Sequence, residues 1–146
     1  MAKSILEGFA LGPWTHEDVP QDPFEDPETG LMLLIARVVH SGHLVGYVLL
    51  PQGSPEHLAL QVRLYEDRTY ENVFDVHGGV TYFDVLRHVP GWFAVGFDCA
   101  HFSDLVPSNP RSGGTYRDLN FVKNQCSYLA AQVRKWLDNH FKSMRR

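Results

Sequence analysis

Cysteine is scarce in this chain of 146 residues, which contains two, Cys99 and Cys126. Two cysteines are too few for a disulfide scaffold, and neither a CxxC pair nor an HExxH motif supplies a strong metal-binding spacing. No stretch approaches the roughly 20 apolar residues that a membrane span needs, and residues 1–4 do not begin a secretory signal. We therefore expect no membrane partner and a location in the reducing cytoplasm.

Basic residues are missing from the early part of the chain. Residues 4–36 contain seven acids and no Lys or Arg, whereas residues 111–146 contain eight basic residues and two acids, and the whole chain has a net charge of −4. The acidic segment could fold near the basic one, or both could be solvated faces. Because the chain is acidic overall and its basic residues interleave with an apolar stripe, nucleic acid is not the expected partner.

The composition is that of a globular domain, with 44% apolar, 12% aromatic and 21% charged residues. Residues 1–146 are therefore predicted to form a single domain. Residues 1–30 are interpreted as a proline-rich acidic lead-in, residues 31–104 as the sheet and residues 115–142 as a C-terminal helix. The lead-in is not expected to form a helix or a central strand, because proline removes a backbone donor. Four prolines lie there: Pro13, Pro20, Pro23 and Pro27.

Apolar runs predict the strands of that sheet. Residues 31–50 form two such runs around turn residues at 40–42, which predicts a β-hairpin. Both arms are apolar at nearly every position, so the hairpin is expected to be buried on both faces, by the helix or by another copy of the chain. Residues 73–83 and 92–98 predict further strands, and residues 56–67 also alternate in the manner of a strand.

The C-terminal segment has the clearest periodicity. Thr115 and Asp118 resemble a capping box, so that the helix is expected to begin near Tyr116. Strands that precede one long helix indicate an α+β fold, with an antiparallel sheet packed against the C-terminal α-helix. The apolar residues recur at steps of three and four along one helical face: Leu119, Val122, Cys126, Leu129, Val133, Trp136 and Leu137.

Polar groups follow two of the predicted strands, in residues 75–82 and 96–104. If these strands are neighbours, their polar ends converge at one end of the sheet. Imidazole and carboxylate groups together can hold a divalent metal such as zinc or manganese. The candidate metal ligands are His77, Asp98, His101 and Asp104.

The same segments could act without a metal. His77, Asp98 and His101 are candidate catalytic residues for general acid–base chemistry, in which a carboxylate fixes the histidine tautomer. Gly78 and Gly79 are candidate ligand-binding residues, because glycine lets the backbone approach a ligand closely. Alternatively, these polar residues only brace the loops. Cys99 could be a nucleophile, but its apolar strand favours a buried thiol.

A glycine-rich segment leads into the predicted helix. Free backbone N–H groups and the positive end of the helix dipole favour an anion there, and flanking arginines could pair with a phosphate. The segment lacks the GxxxxGK[ST] spacing, so a plain loop with a helix cap is the alternative. The candidate residues for a nucleotide-like ligand are Arg111, Gly113, Gly114 and Arg117.

The order of motifs resembles a family of small proteins encoded by bacteriophages and prophages. The resemblance rests on Gly-Pro-Trp at 12–14, VHGGVTY at 76–82, GFDCAH at 96–101 and Tyr-Arg-Asp at 116–118. It implies an accessory protein acting in the bacterial cytoplasm, but no activity, because the family is uncharacterised. Members often carry cysteine near Leu33 and at Val45. This chain has no cysteine at those positions, so a cysteine-rich metal site is not implied here. By position, the signature residues are His77, Gly78, Gly79, Asp98, His101 and Asp104.

Three functions are compatible with these patterns. The first, which we favour, is a non-enzymatic accessory protein that binds a host factor or a small anionic, nucleotide-like ligand and counters host defence. The second is a metal-dependent hydrolase of phosphoesters, in which the His/Asp cluster holds a metal that activates water. The third is a structural or interaction module without a ligand. The sequence leaves open whether the chain forms a homo-oligomer.

Overall fold

The structure is a computed structural model that describes residues 9–66 and 69–145. Its five strands form one antiparallel sheet in the order β1-β2-β3-β5-β4, and two α-helices pack with it. The predicted α+β class, with an antiparallel sheet and a long C-terminal helix, is confirmed. The elements are β1 (Phe24–Glu25), β2 (Met32–Arg37), β3 (Leu44–Pro51), α1 (Pro55–Glu66), β4 (Tyr82–Val85), β5 (Trp92–Asp98) and α2 (Leu119–Met144).

Strands β2 and β3 form the predicted hairpin at the middle of the sheet. Their register pairs Met32 with Leu49 and Arg37 with Leu44. The turn is closed by a bond of 2.9 Å from the Val38 N–H to the His43 carbonyl. Most of the hairpin side chains are buried, as expected of strands covered on both faces.

Helix α2 covers one face of the sheet and packs on β2 and β3. It comes close to the sheet at Gly46, where a Cβ atom would lie 2.6 Å from the Cys126 sulfur. The predicted apolar stripe supplies the buried face of this helix. Within α2 the buried residues are Val122, Cys126, Leu129, Ala130, Val133 and Leu137.

The predicted start of α2 near Tyr116 is wrong, because the helix begins at Leu119. Asp118 is the N-cap, and its carboxylate accepts the Phe121 N–H at 2.9 Å. Thr115 instead forms an isolated parallel bridge with Asp104. Its backbone is therefore engaged in a loop contact rather than in the first turn of the helix.

The strand-like interpretation of residues 56–67 is also wrong, because helix α1 occupies Pro55–Glu66. Leu60 and Leu64, one turn apart, are buried, whereas Leu58 and Val62 are 54% and 55% exposed. The start signals were present in the sequence. Ser54 accepts the N–H of the third residue of the helix at 3.2 Å, and Pro55 is the first helical residue.

The predicted strand at residues 73–83 is wrong for residues 73–81, because β4 begins at Tyr82, whereas the strand at 92–98 is confirmed as β5. Gly78 and Gly79 have φ angles of +70° and +79°, which turn the chain before it can enter the sheet. The residues before β4 are therefore irregular and lie against α2. No helix in the described part of the chain is long and apolar enough to cross a membrane.

The second face of the sheet is covered by the loop that follows β4 rather than by a helix. Leu34, Leu49 and Ala94 project from it and form a second buried cluster with Leu86, which follows β4. This loop covers only part of the face. The two faces of the sheet are thus closed differently, one by helices α1 and α2 and one by the loop that follows β4.

Candidate functional site

The carboxylate of Asp104 is the centre of the predicted cluster. It is 4% exposed and lies 2.9 Å from Nε2 of His77. Arg117 Nε donates to it at 2.8 Å, and the His101 backbone N–H donates at 3.0 Å. Burial acts to raise the pKa of the Asp104 carboxyl, but the hydrogen bonds from Arg117, His77 and His101 outweigh burial and lower that pKa.

Asp98 and His101 form a second, more exposed pair. His101 Nε2 lies 3.2 Å from Asp98 Oδ1, and about a third of each side chain is exposed. The distance is that of an ion pair, but the direction is not that of a hydrogen bond, since Nε2 has no hydrogen-bond partner among the described residues. The rings of His77 and His101 are 5.6 Å apart and join the two pairs.

Gly78 packs beneath the His101 ring. A Cβ atom at Gly78 would lie 1.9 Å from His101 Nε2. The close neighbour of the Gly78 backbone is therefore a side chain of the same chain, and the predicted approach to a ligand stays a prediction. Gly79 is confined by the Glu71 backbone, whose oxygen would lie 2.9 Å from such a Cβ atom.

The first turns of α2 position His77. Its backbone N–H donates to Gln125 Oε1 at 2.9 Å, and its ring meets the Phe121 ring edge-on at 5.1 Å. The Arg117 guanidinium lies 5.0 Å from the centroid of the same Phe121 ring. The cluster therefore joins the loop before β4, the loop after β5 and the beginning of α2.

The arrangement defines what this cluster can do chemically. Asp104 accepts a hydrogen bond from the Nε2 proton of His77. This bond orients the imidazole ring, as a general base requires. However, Asp104 already accepts three donors, and neither of the two cavities described for this molecule is lined by residues of the cluster. Within residues 9–66 and 69–145, no group of three or more His, Cys, Asp or Glu is arranged to hold a metal ion.

The predicted anion-binding residues differ in their surroundings. Arg117 is paired with Asp104, whereas Arg111 is exposed in a short 3₁₀ turn, Pro110–Ser112. Gly113 has open space around it, but a Cβ atom at Gly114 would lie 2.7 Å from the Ser103 carbonyl oxygen. Carboxylates of the chain itself satisfy N–H groups at the beginning of α2.

One of those carboxylates belongs to Glu17, which the sequence did not single out. Its Oε2 accepts the Leu119 N–H at 2.7 Å, and its Oε1 pairs with Arg37 Nη2 at 3.1 Å. Tyr116 donates its hydroxyl proton to the same Oε1. Burial, followed by this bond to Glu17, raises the pKa of Tyr116. The signal in the sequence that points to a buried acidic partner such as Glu17 is Arg37, the one charged residue inside an apolar hairpin.

Cys99 does not have the environment of a nucleophile. Its side chain belongs to the main hydrophobic core, and burial raises the pKa of its thiol. Cys126 is also in the core, where burial raises its pKa to about 12. Thiols in such surroundings are protonated at neutral pH and unreactive.

A groove lies apart from this cluster, on the β2 side of the sheet. Its volume is about 600 Å³, and its exposed lining is mostly apolar. Residues 34–39 line it without a break, together with residues 19–21, Val45, Tyr47, His88 and Val89. Successive residues of a strand point to opposite faces, so an unbroken run indicates that the groove follows the strand edge.

The chain matches no protein-family model, and comparisons with curated proteins and with solved structures find no match. The likeness to phage-encoded proteins therefore remains a prediction from the motifs. The fold and the site define a small α+β domain with an internally paired His–Asp–Arg cluster and an open apolar groove.

Proposed function

We propose that this chain is a binding protein without enzymatic activity, an accessory protein of the phage type that engages a protein of its bacterial host in the cytoplasm. The observation that carries the proposal is the groove along β2, which is about 600 Å³ in volume and mainly apolar. Grooves of this size and character are typical of ligand-binding and peptide-binding sites. Countering a host defence is the role that the motif resemblance suggests for such a binder.

The His/Asp cluster supports the same proposal, because the carboxylate at its centre, Asp104, is occupied within the chain. Asp104 pairs with His77 and Arg117 at 2.9 Å and 2.8 Å, and these contacts tie the loops around β4 and β5 to the segment that precedes α2. A buried carboxylate with three donors is typical of a structural brace. In the proposal, this cluster shapes the domain, and binding takes place elsewhere.

A protein partner is favoured over a small anion. Glu17 lies 2.7 Å from the Leu119 N–H, and Asp118 lies 2.9 Å from the Phe121 N–H. These carboxylates take the place that a phosphate would need at the beginning of α2. The mainly apolar lining of the groove likewise suits apolar side chains better than a nucleotide.

Site-specific photocrosslinking in a bacterial host tests this function. A photoreactive amino acid at Val39, which lines the groove and is 57% exposed, should crosslink to a discrete host protein. The same amino acid at Ala131, exposed on α2, should not. Filling the groove with Ala36→Leu should abolish the Val39 product. Equal crosslinking from both positions would contradict the proposal.

A hydrolase is the second candidate, and the specific observation in its favour is the orientation of His77 by the buried Asp104. Elemental analysis of the purified protein tests this alternative, together with phosphoester hydrolysis in added zinc or manganese. Stoichiometric metal that is lost in His101→Ala, with hydrolysis lost in His77→Ala, would replace the binding proposal. We expect neither metal nor hydrolysis, and a reduced melting temperature in both variants.

A further inference from the structure

Helix α1 has apolar residues on two sides. Leu60 and Leu64 form its buried side. Leu58, Val62 and Tyr65, here called the outer stripe, are 54%, 55% and 67% exposed. They are spaced by four and three residues, so they lie in one line along the helix. A surface helix usually has polar residues away from its buried side, and a line of exposed apolar side chains is typical of an interaction site.

A depression of about 350 Å³ lies along the outer stripe. It is lined by Leu58, Gln61, Val62, Tyr65 and Glu66. The first four of these residues occupy positions i, i+3, i+4 and i+7 of α1. In knobs-into-holes packing, four residues of one helix with this spacing form the hole that receives one side chain of a second helix. The occupant that fits this depression is therefore an apolar side chain carried by a helix.

The wall of the hole at Gln61 is held in place from within the chain. The Gly53 N–H donates to His57 Nδ1 at 2.8 Å, so the ring proton is on Nε2, which lies 2.7 Å from Gln61 Oε1. The His57 ring in turn stacks on Phe93, with the ring centroids 4.2 Å apart. Gln61 is thus oriented before a second helix arrives, which reduces the entropic cost of docking.

We propose that the outer stripe of α1 is a dimerisation surface, on which a second copy of this chain docks its own α1. The two helices lie antiparallel about a two-fold axis beside Val62, so that Leu58 of each copy enters the hole beside Tyr65 of the other. One surface supplies both the knobs and the holes, as a two-fold interface requires. This inference goes beyond the proposed function and does not depend on it.

The charges beside the outer stripe favour a second copy over a partner of opposite charge. Ala59 and Gln61, which flank the stripe, are uncharged, and the hole is lined by one charged residue, Glu66. In the antiparallel pair, Glu66 of each copy lies opposite Ala59 of the other, so these carboxylates do not face each other. A surface with so little charge is complementary to itself, whereas recognition of a basic or acidic partner uses a patch of one sign.

The size of the surface determines how strong the dimer is. Helix α1 has 12 residues and is therefore about 18 Å long. The Tyr65 ring meets the Phe83 ring edge-on at 5.1 Å, which extends the apolar surface onto β4. One helix pair gives an interface below about 1,200 Å², in the range of transient complexes. We therefore expect a reversible dimer that forms between micromolar and millimolar concentration.

The dimer would have a consequence for binding. The outer stripe and the groove along β2 share no lining residue. A dimer through α1 therefore carries two grooves, and two linked sites bind a partner that has two or more copies of the target with higher avidity than one site.

Analytical ultracentrifugation of the full chain from micromolar to millimolar concentration tests the inference. The wild type should change from monomer to dimer with increasing concentration. Leu58→Glu should weaken the dimer at least about tenfold, because it places an unpaired carboxylate in an apolar contact. Leu11→Glu is the matched control, since Leu11 is an exposed leucine outside α1, and it should leave the dimer unchanged.

Cysteine crosslinking tests the antiparallel orientation and does not depend on a destabilising variant. A mixture of Leu58→Cys and Tyr65→Cys chains should form a disulfide-linked dimer under mild oxidation, whereas each variant alone should remain mostly uncrosslinked, because cysteines must lie close together to pair. The native Cys99 and Cys126 are buried and do not interfere.

Four results would overturn this inference. They are a monomeric wild type at millimolar concentration, equal weakening of the dimer by Leu58→Glu and Leu11→Glu, crosslinking within one cysteine variant that equals crosslinking in the mixture, and a photoreactive amino acid at Val62 that captures a host protein instead of a second copy. Each of these results leaves the crosslink from Val39 intact, because that crosslink reports on the groove.

Discussion

Asp104 shows how one buried side chain can organise two loops. Its carboxylate receives donors from His77 on the segment before β4, from the His101 backbone and from Arg117 before α2. Burial of a charge is costly unless it is paired and hydrogen-bonded. Each partner therefore depends on the others, and removing the charge should lower the stability of the whole fold.

We expect Asp104→Asn to lower the free energy of unfolding by about 3 kcal/mol, because it leaves the Arg117 charge without its partner. Urea denaturation at neutral pH measures the change. The control is Asp98→Asn, which removes a partly exposed carboxylate and should cost less than about 1 kcal/mol. Similar losses in both variants would contradict the assignment of Asp104 as the centre.

The pH dependence of stability has a definite sign at this residue. The pKa of Asp104 is lowered in the folded chain, so its contribution is present above the ordinary carboxyl pKa of about 4. The contribution is lost as the pH falls through the lower, folded value. The difference in stability between the wild type and Asp104→Asn should therefore shrink in acid below about pH 4, as urea titrations across pH would show.

Gly78 is the second residue whose identity is dictated by its neighbours. Gly78→Ala should cost more than about 2 kcal/mol, because it adds a clash with His101 to the strain of a positive φ. Gly53→Ala is the matched control, since its φ is +81° but its surroundings are open, and it should cost about 1 kcal/mol. Thermal unfolding compares the two.

A double substitution isolates the contact between Gly78 and His101. If the clash dominates, Gly78→Ala in a His101→Ala background should cost about 1 kcal/mol, the strain that remains. An equal cost of Gly78→Ala in both backgrounds would mean that backbone strain alone requires glycine.

At the scale of elements, the two helices differ in how well the local sequence pattern predicts them. The apolar stripe of α2, from Leu119 to Leu137, extends over about five turns, so its identity as a helix was predictable from periodicity alone. Helix α1 has 12 residues, and the alternation of Leu58, Leu60, Val62 and Leu64 is compatible with a strand. Burial of Leu60 and Leu64 on one side decided the outcome, and that burial depends on the sheet.

The beginning of α2 is a test of capping. Asp118→Ala should lower stability by about 1 kcal/mol, because it leaves the Phe121 N–H without its acceptor. Thr115→Ala should change stability by less than about 0.5 kcal/mol, since Thr115 lies outside the helix. Urea denaturation distinguishes them, and a larger loss from Thr115→Ala would indicate an earlier start of the helix.

At the scale of the whole molecule, Glu17 connects parts that are distant in the chain. It bonds to Arg37 at the end of β2 and to Leu119 at the beginning of α2. Residues 9–30, the described part of the lead-in, are therefore part of the folded body, although they have little regular structure. This contact also holds residues 17–21 beside the groove, which makes Glu17 relevant to binding as well as to stability.

We expect Glu17→Ala to lower the free energy of unfolding by about 3 kcal/mol, because Arg37, with a side chain 1% exposed, loses its charged partner. Chemical denaturation measures this loss. Glu28→Ala is the control, since Glu28 is an exposed acid of the same lead-in, and it should change stability by less than about 0.5 kcal/mol. Equal effects would mean that only net charge matters.

The sequence by itself determined the α+β class, the β2–β3 hairpin, strand β5 and the long helix, because hydrophobic periodicity and turn residues are local properties. It also predicted that His77, Asp98, His101 and Asp104 converge if their two strands are neighbours. Only the tertiary structure decided that they form two pairs, that Glu17 reaches the beginning of α2, and that β1 pairs with only two residues of β2. These are contacts between residues far apart in the chain, and they depend on geometry that spacing does not encode.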